Sequence, residues 1–407
     1  MAANNPMCDT RMTAGISPIT GAEREARVEK AQQLMVEQGF EAIILEAGPN
    51  LFYFTGITWD RSERMMAAVI PASGAISYVC PRFEESRLRV MLLSDEDVRV
   101  WEEDENPSAV VAALLLDRGI AGGRVGVEAS LRYFVFEGIR RHSPHTELIS
   151  ADSVTAPCRS EKSMAEIALL QRAADITIEA FKECVSLLRA GMSQDEFVES
   201  SITAHRRLGV EGSIVAQFGS VTAFPHGSQE MTCLKPNDMV LMDGGCTIEG
   251  YHSDISRTIV FGEPTKQQRE MWLLEKAAQT AAFEAIRIGA PIESVDAAAR
   301  EVIVGAGLGP GYEVPGLPHR TGHGIGLEIH EPPYVVQGNK VLLSPGMCFS
   351  NEPMISIPGK FGVRLEDCLY LSSQGPRYLS QPSESLESPF AGPEVESRGT
   401  LVRDRTP

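Results

Sequence analysis

Five side chains in this 407-residue sequence could act together: Asp243, Asp254, His323, Glu352 and Glu366. Asp243 ends the apolar run Met239-Val240-Leu241-Met242 and is followed by Gly244-Gly245, while Asp254 lies in Ser253-Asp254-Ile255-Ser256-Arg257-Thr258. His323 is set in Thr321-Gly322-His323-Gly324-Ile325-Gly326, Glu352 in Asn351-Glu352-Pro353, and Glu366 in Gly362-Val363-Arg364-Leu365-Glu366-Asp367. Carboxylates stay inside a fold only when paired or bound to metal. No matching set of lysines and arginines interleaves these segments, so metal is the simplest partner. The four negative charges would be balanced by two divalent cations, and paired ions about 3.5–4 Å apart can clamp a nucleophile. Hard oxygen donors with one imidazole suit manganese, zinc, cobalt or iron better than a thiolate-type zinc site.

Such ligands need rigid strands and close turns. Asp243 and Asp254 flank Gly244-Gly245 and Gly250, which lets one strand turn back so that both carboxylates face one cavity. Glu352 and Glu366 flank Pro358-Gly359 in the same way, and glycines around His323 allow close backbone approach. Upstream, Ser163-Met164-Ala165-Glu166 and Ser193-Gln194-Asp195-Glu196 read as capping boxes that start helices. Apolar residues from Ile167 to Val185 follow one helix face. Leu188-Arg189-Ala190-Gly191 is echoed by Ile286-Arg287-Ile288-Gly289, ahead of a helix expected over residues 293–304, which suggests two related halves. The chain divides near Pro157. Before it, helix-like Ala22–Gln38 and strand-like Ala42–Leu45, Met66–Ile70 and Ile76–Val79 describe an α/β domain with no evident catalytic group.

The five motifs, in this order, resemble the pita-bread metallopeptidases, which include prolidases, aminopeptidases P and methionine aminopeptidases. The resemblance covers residues 157–372 strongly and the preceding half more weakly. It implies an α/β N-terminal domain at 21–156 and an α+β pita-bread (creatinase/aminopeptidase-like) catalytic domain at 157–378. It also makes Asp243, Asp254, His323, Glu352 and Glu366 the ligands of two divalent ions, manganese first among them, with Glu352 doubling as general base. His226 in Phe224-Pro225-His226-Gly227 and His330 in Glu328-Ile329-His330-Glu331 resemble the histidines that hold substrate and move protons in the proline-specific branch. The implied activity is hydrolysis of the peptide bond before proline, by an Xaa-Pro dipeptidase or an aminopeptidase P acting on longer peptides. Relatives that use the fold otherwise include creatinase, binding proteins that lost the site, and a sulfonium lyase whose extra aspartate falls where Gly245 stands here.

Some positions depart from the family pattern. Ser356 stands where relatives carry a tyrosine, Met354 where a small residue is common, and Tyr334 where archaeal-type prolidases have an arginine for the proline carboxylate. Tyr334 is kept among the substrate-binding residues. Arg61 and Arg64 in Trp59-Asp60-Arg61-Ser62-Glu63-Arg64 are the expected carboxylate receivers, because in the family this region borders the active site, often that of a dimer partner. Arg364 is expected to orient Glu366.

The net charge of −18 argues against nucleic acid, whose phosphates call for a basic surface. Eight cysteines spread without a Cys-x-x-Cys suggest neither a disulfide framework nor a thiolate metal site. No apolar run approaches the roughly 18 residues of a membrane span, and Met1–Arg11 has no signal-like apolar core, so a cytoplasmic enzyme is expected, homodimeric by the resemblance. Residues 1–20, and those from Leu379 onward, read as disordered ends.

Overall fold

The computed structural model describes residues 11–92, 95–228 and 230–390. The first layer is a six-stranded sheet, ordered Asp97–Trp101, Ser77–Pro81, Ala67–Pro71, Phe40–Glu46, Gly123–Val127, Thr146–Ser150. Its inner strand Phe40–Glu46 pairs antiparallel with Ala67–Pro71 and parallel with Gly123–Val127. Strand residues alternate faces, and here both faces are covered. Ala42 and Ile44 pack with Val111, Leu115 and Ile139 of two helices, whereas Ile43 and Leu45 join Met35, Tyr53 and Phe54 on the side of the second domain. The expected helix at 22–38 is Gly21–Gln38, capped by the Thr20 side chain on Glu23 N and ended by Gly39 in the left-handed conformation.

Pro157 stands close to the end of the first domain's last helix. It lies inside the helix Asp152–Ser160, where its carbonyl accepts from Lys30 Nζ at 3.1 Å and the next carbonyl, Cys158 O, accepts from Tyr53 Oη at 2.6 Å. This helix is held by the N-terminal domain, and the catalytic domain starts with the helix Met164–Ser186.

Both expected capping boxes form, and Thr265 with Gln268 makes a third at the start of Lys266–Ala285. The echo between halves extends to hydrogen bonding. Gly191 (φ +82°) and Gly289 (φ +81°) sit in the same left-handed conformation after equivalent helices. Gly191 N donates to Leu234 O and Leu234 N returns to Met192 O, just as Gly289 N donates to Leu343 O and Leu343 N returns to Ala290 O. Each half then supplies antiparallel strands: Gly212–Phe218, Met239–Ile248 and Ile255–Val260 in one, a five-stranded sheet and a hairpin in the other. The two halves meet where Ser256 N donates to Glu366 O and Glu366 N to Ser256 O.

The ends are more ordered than their composition suggests. Ile19 is buried and Met12 N donates to Leu208 O at 2.9 Å. The tail expected to be loose from Leu379 is packed through residue 390. Leu379 and Leu386 are buried, Phe390 lies against Phe181, and Arg257 takes the carbonyls of Gln381 (2.8 Å) and Pro389 (3.1 Å). Local polarity misleads there because the tail is held by its backbone carbonyls. The expected disorder of residues 1–10 and 391–407 lies outside the described residues.

Candidate active site

Asp243 lies mid-strand in Met239–Ile248, directly across from Ser256, and Asp254 immediately precedes Ile255, which pairs with Gly244. Three backbones crowd here. A Cβ on Gly245 would lie 1.9 Å from Ser253 O, so only glycine fits. Glu352 and Glu366 flank the hairpin Met354–Ile357/Phe361–Arg364, and the adjoining strands Cys348–Asn351 and Asp367–Ser372 pair with each other. His323 is the centre of the short strand Gly322–Gly324, where a Cβ on Gly322 would meet Ser350 O at 2.1 Å.

The fold brings all five residues together. Ligand atoms of His323, Glu352 and Glu366 lie within 4.8 Å of one another, as do those of Asp243, Asp254 and Glu366, which share Glu366, and those of Asp254, His323 and His330 form a third such group. His323 Nε2 is 3.1 Å from Glu352 and 3.7 Å from both Asp254 and Glu366. Burial, then the charges of Glu366 and Asp243, drives the Asp254 carboxyl well above its ordinary range. Burial and Glu352 push Glu366 up to about 7. Burial also opposes the charge on Glu352, but the His323 imidazole outweighs it and holds that carboxyl low. Burial works against a charged His323, yet Glu352 and Glu366 raise it well above its usual value.

This donor set fits divalent metal. His323 Nε2 and Glu366 Oε1 are buried without a hydrogen-bond partner, which a native core avoids unless something else occupies those lone pairs. Among the described residues, the only guanidinium paired with these carboxylates is that of Arg364, buried and 2.6 Å from Asp243, with Nε 4.0 Å from Glu366. Its principal carboxylate is therefore Asp243, and it acts on Glu366 through Ser256. Arg364 Nε donates to Ser256 Oγ at 2.9 Å, and that hydroxyl lies 2.8 Å from Asp243 and 2.7 Å from Glu366. One hydroxyl proton serves one carboxylate at a time, which leaves the others to a cation.

His330 packs edge-on against His323, ring centroids 4.1 Å apart, and burial followed by the His323 charge lowers its pKa. His226 is on an exposed turn, near enough for its charge to act on His330 and on a third histidine, His319. Sequence reasoning passed over His319. Its Nδ1 is 2.7 Å from Arg320 O, its buried Nε2 has no partner, and burial lowers its pKa against the pull of Glu352. Its loop is fixed from the helix Glu293–Gly305, where Arg300 donates to the carbonyls of Leu317 and His319 and Asp296 accepts from Thr321 N and Oγ1. The available signal was its place four residues before His323, in the same Gly/Pro-rich loop.

Arg61 and Arg64 do not join the cluster. Arg61 donates to Ala47 O and Ser130 and faces Glu128, and Arg64 pairs with Glu63 and Glu103, all within the N-terminal domain. The buried hydroxyl of Ser356 is engaged elsewhere, donating to Ala223 O at 2.7 Å.

The model of metallopeptidase family M24 matches residues 168–373, and that of the creatinase/prolidase N-terminal domain matches 27–160. The chain belongs to family M24. It is 32% identical over 369 residues to an Xaa-Pro dipeptidase of Lactobacillus delbrueckii subsp. lactis, covering 88% of this chain and 98% of that one. It is 34% identical over 355 residues to the probable dipeptidase PepE of Mycobacterium tuberculosis, covering 86% and 92%. Among solved structures, a prolidase from Thermococcus sibiricus superposes with a TM-score of 0.81 at 29% identity, over 88% of this chain and 97% of that one. This M24 peptidase accordingly has the expected fold class, a creatinase-like α/β domain followed by the α+β pita-bread domain.

Proposed function

We propose that this M24 peptidase is an Xaa-Pro dipeptidase that works with two divalent metal ions, manganese as the native metal, held by Asp243, Asp254, His323, Glu352 and Glu366. The observation that carries the reading is that two of the three ligand groups, His323 with Glu352 and Glu366 and Asp243 with Asp254 and Glu366, contain all five residues and share Glu366, with His323 Nε2 and Glu366 Oε1 left open. Divalent ions bound there would supply a water acidified from a pKa of 15.7 toward about 7 and polarise the scissile carbonyl. The protein's own groups do the rest. Glu352, kept ionised, takes the attacking water's proton. The imide nitrogen before proline carries no hydrogen and must gain one as it leaves. His226, on the exposed turn, is the donor, while His330, whose pKa burial and the His323 charge lower, holds the substrate beside His323. Arg364 fixes Asp243 and, by donating from Nη1 to Pro225 O at 2.9 Å, also fixes the turn that carries His226.

Aminopeptidase P is the second reading, since the same groups serve a longer peptide. The names of the dipeptidase and prolidase relatives favour the first. We place the enzyme in the cytosol because its described cysteines are all free, and among the described residues no helix is long and apolar enough to cross a membrane. A homodimer is proposed from the family resemblance. The deciding assay compares Ala-Pro with Ala-Pro-Gly under added manganese, with bound metal measured. Efficient release of proline from Ala-Pro and slow cleavage of the tripeptide is expected. Equal or faster tripeptide cleavage would make it an aminopeptidase P.

A further inference from the structure

This inference rests on the Xaa-Pro reading and concerns what receives the far end of the substrate. The guanidinium of Arg320 is half-buried and, among the described residues, makes no hydrogen bond and no ion pair. In a chain with 55 acidic and 37 basic side chains, such an arginine beside an acidic cluster is unusual. Its contact is with the ring of Tyr334, 4.3 Å from guanidinium carbon to centroid. Stacking of this kind occupies the flat face of the guanidinium and leaves its in-plane N–H donors free to meet a planar anion edge-on.

The strand register sets where those donors lie. His323 and Tyr334 are directly paired on antiparallel strands, and paired residues share one face of the sheet. The His323 imidazole points at the carboxylates, so the Tyr334 ring and the guanidinium stacked on it border the same cavity. His330 lies against His323 on that side and feels the Arg320 charge. The preceding residue, His319, is near enough to Glu352 to feel its charge. An arginine held here by an aromatic plate, with no carboxylate of its own, is a receptor for an anion that arrives with the substrate. Tyr334 fixes the plane of the fork.

We propose that Arg320, braced by Tyr334, receives the terminal carboxylate of an Xaa-Pro dipeptide and thereby limits the enzyme to substrates that end at proline. The test uses the full-length, manganese-loaded protein and two probes that differ only in that charge, Ala-Pro and Ala-Pro-amide. In Arg320→Gln the kcat/KM ratio of Ala-Pro over its amide should fall about ten- to hundredfold, the size of a lost charge-assisted hydrogen-bond pair, with the change in KM rather than kcat. Arg320→Lys, which keeps charge but not the fork, should fall between, as should Tyr334→Ala, and both guard against a Gln variant that fails to fold. Free proline should inhibit the wild type more strongly than the Gln variant. An unchanged ratio in the Gln and Lys variants, with wild-type Ala-Pro turnover intact, would overturn the role of Arg320 alone. A metal-loaded wild type that cleaves neither peptide would overturn the Xaa-Pro reading and this assignment with it.

Discussion

Arg364 bears more of the site than any other non-ligand side chain, and removing it has a calculable effect. Its guanidinium pairs with Asp243 at 2.6 Å and donates to Ser256 Oγ and Pro225 O at 2.9 Å each. All three bonds are charge-assisted, and removing one partner of a buried ion pair costs about 3–5 kcal/mol, so Arg364→Met should destabilise the metal-free protein by about that much. Bound metal would take over much of the charge balance but not the orientation of Asp243, Glu366 and the His226 turn. Loss of such an outer contact costs about 10–100-fold in affinity or activity. Arg364→Lys retains the charge but cannot reach all three partners, so it should keep most of the stability and still lose about tenfold in kcat. The assay is kcat and KM on Ala-Pro through a manganese titration, with bound metal and thermal stability measured on the same samples. Arg364→Met within threefold of wild-type kcat at saturating metal would refute the reasoning. Equal stability loss in both variants would show that the fork geometry, not the charge, stabilises the site.

Asp254→Ala and Glu366→Ala should each yield folded protein that binds less metal and does not hydrolyse Ala-Pro; near-normal turnover after metal depletion would argue against the ligand set. Alanine at His226, His319 or His330 should leave bound metal unchanged and lower kcat/KM about 10²–10⁴-fold, and loss of a metal equivalent in any of them would make that histidine a ligand. Ser356→Ala removes only the bond to Ala223 O, so a stability loss of about 1 kcal/mol with turnover within threefold is expected, and a hundredfold fall would mean the hydroxyl acts in catalysis. In chelated protein, Asp254, Glu366 (about 7) and His323 all have native pKa values above their unfolded ones, so the native state holds protons more tightly. Their stabilisation is complete at low pH and lost as pH rises through those values, whereas that of Glu352, whose value is lowered, is lost only as the solution becomes strongly acidic. Melting temperature without metal should therefore fall between about pH 5 and 8 and level out when manganese is added, and a rise over that interval without metal would contradict the coupling.

What could be read from the sequence was local. The five carboxylate and imidazole positions lie in compact glycine- and proline-marked segments, and capping boxes at Ser163 and Ser193 show in four letters each. The strand order of the N-terminal sheet was hidden, because its neighbours Phe40–Glu46 and Gly123–Val127 lie far apart in the chain and no local pattern pairs them. His319 was hidden because a lone histidine after proline has no chemistry until the Arg300 contacts turn it inward. Arg61 and Arg64 looked available as charges, but availability depends on tertiary partners, and Glu128 and Glu103 supply them. The tail from Leu379 was misjudged by composition, since its anchor, Arg257, is more than a hundred residues upstream.

That anchor also constrains how the protein can be made. Arg257 is wholly buried, follows Ser256 in the strand beside Asp243, and pairs with Asp367 at 2.7 Å, next to Glu366. Two further acceptors are the carbonyls of Gln381 and Pro389. A chain shortened to end before Gln381 would keep every proposed metal ligand, Glu366 included, and still hold this guanidinium with acceptors missing. Such a shortened protein should bind manganese more weakly than the full chain, although all five proposed ligands are present.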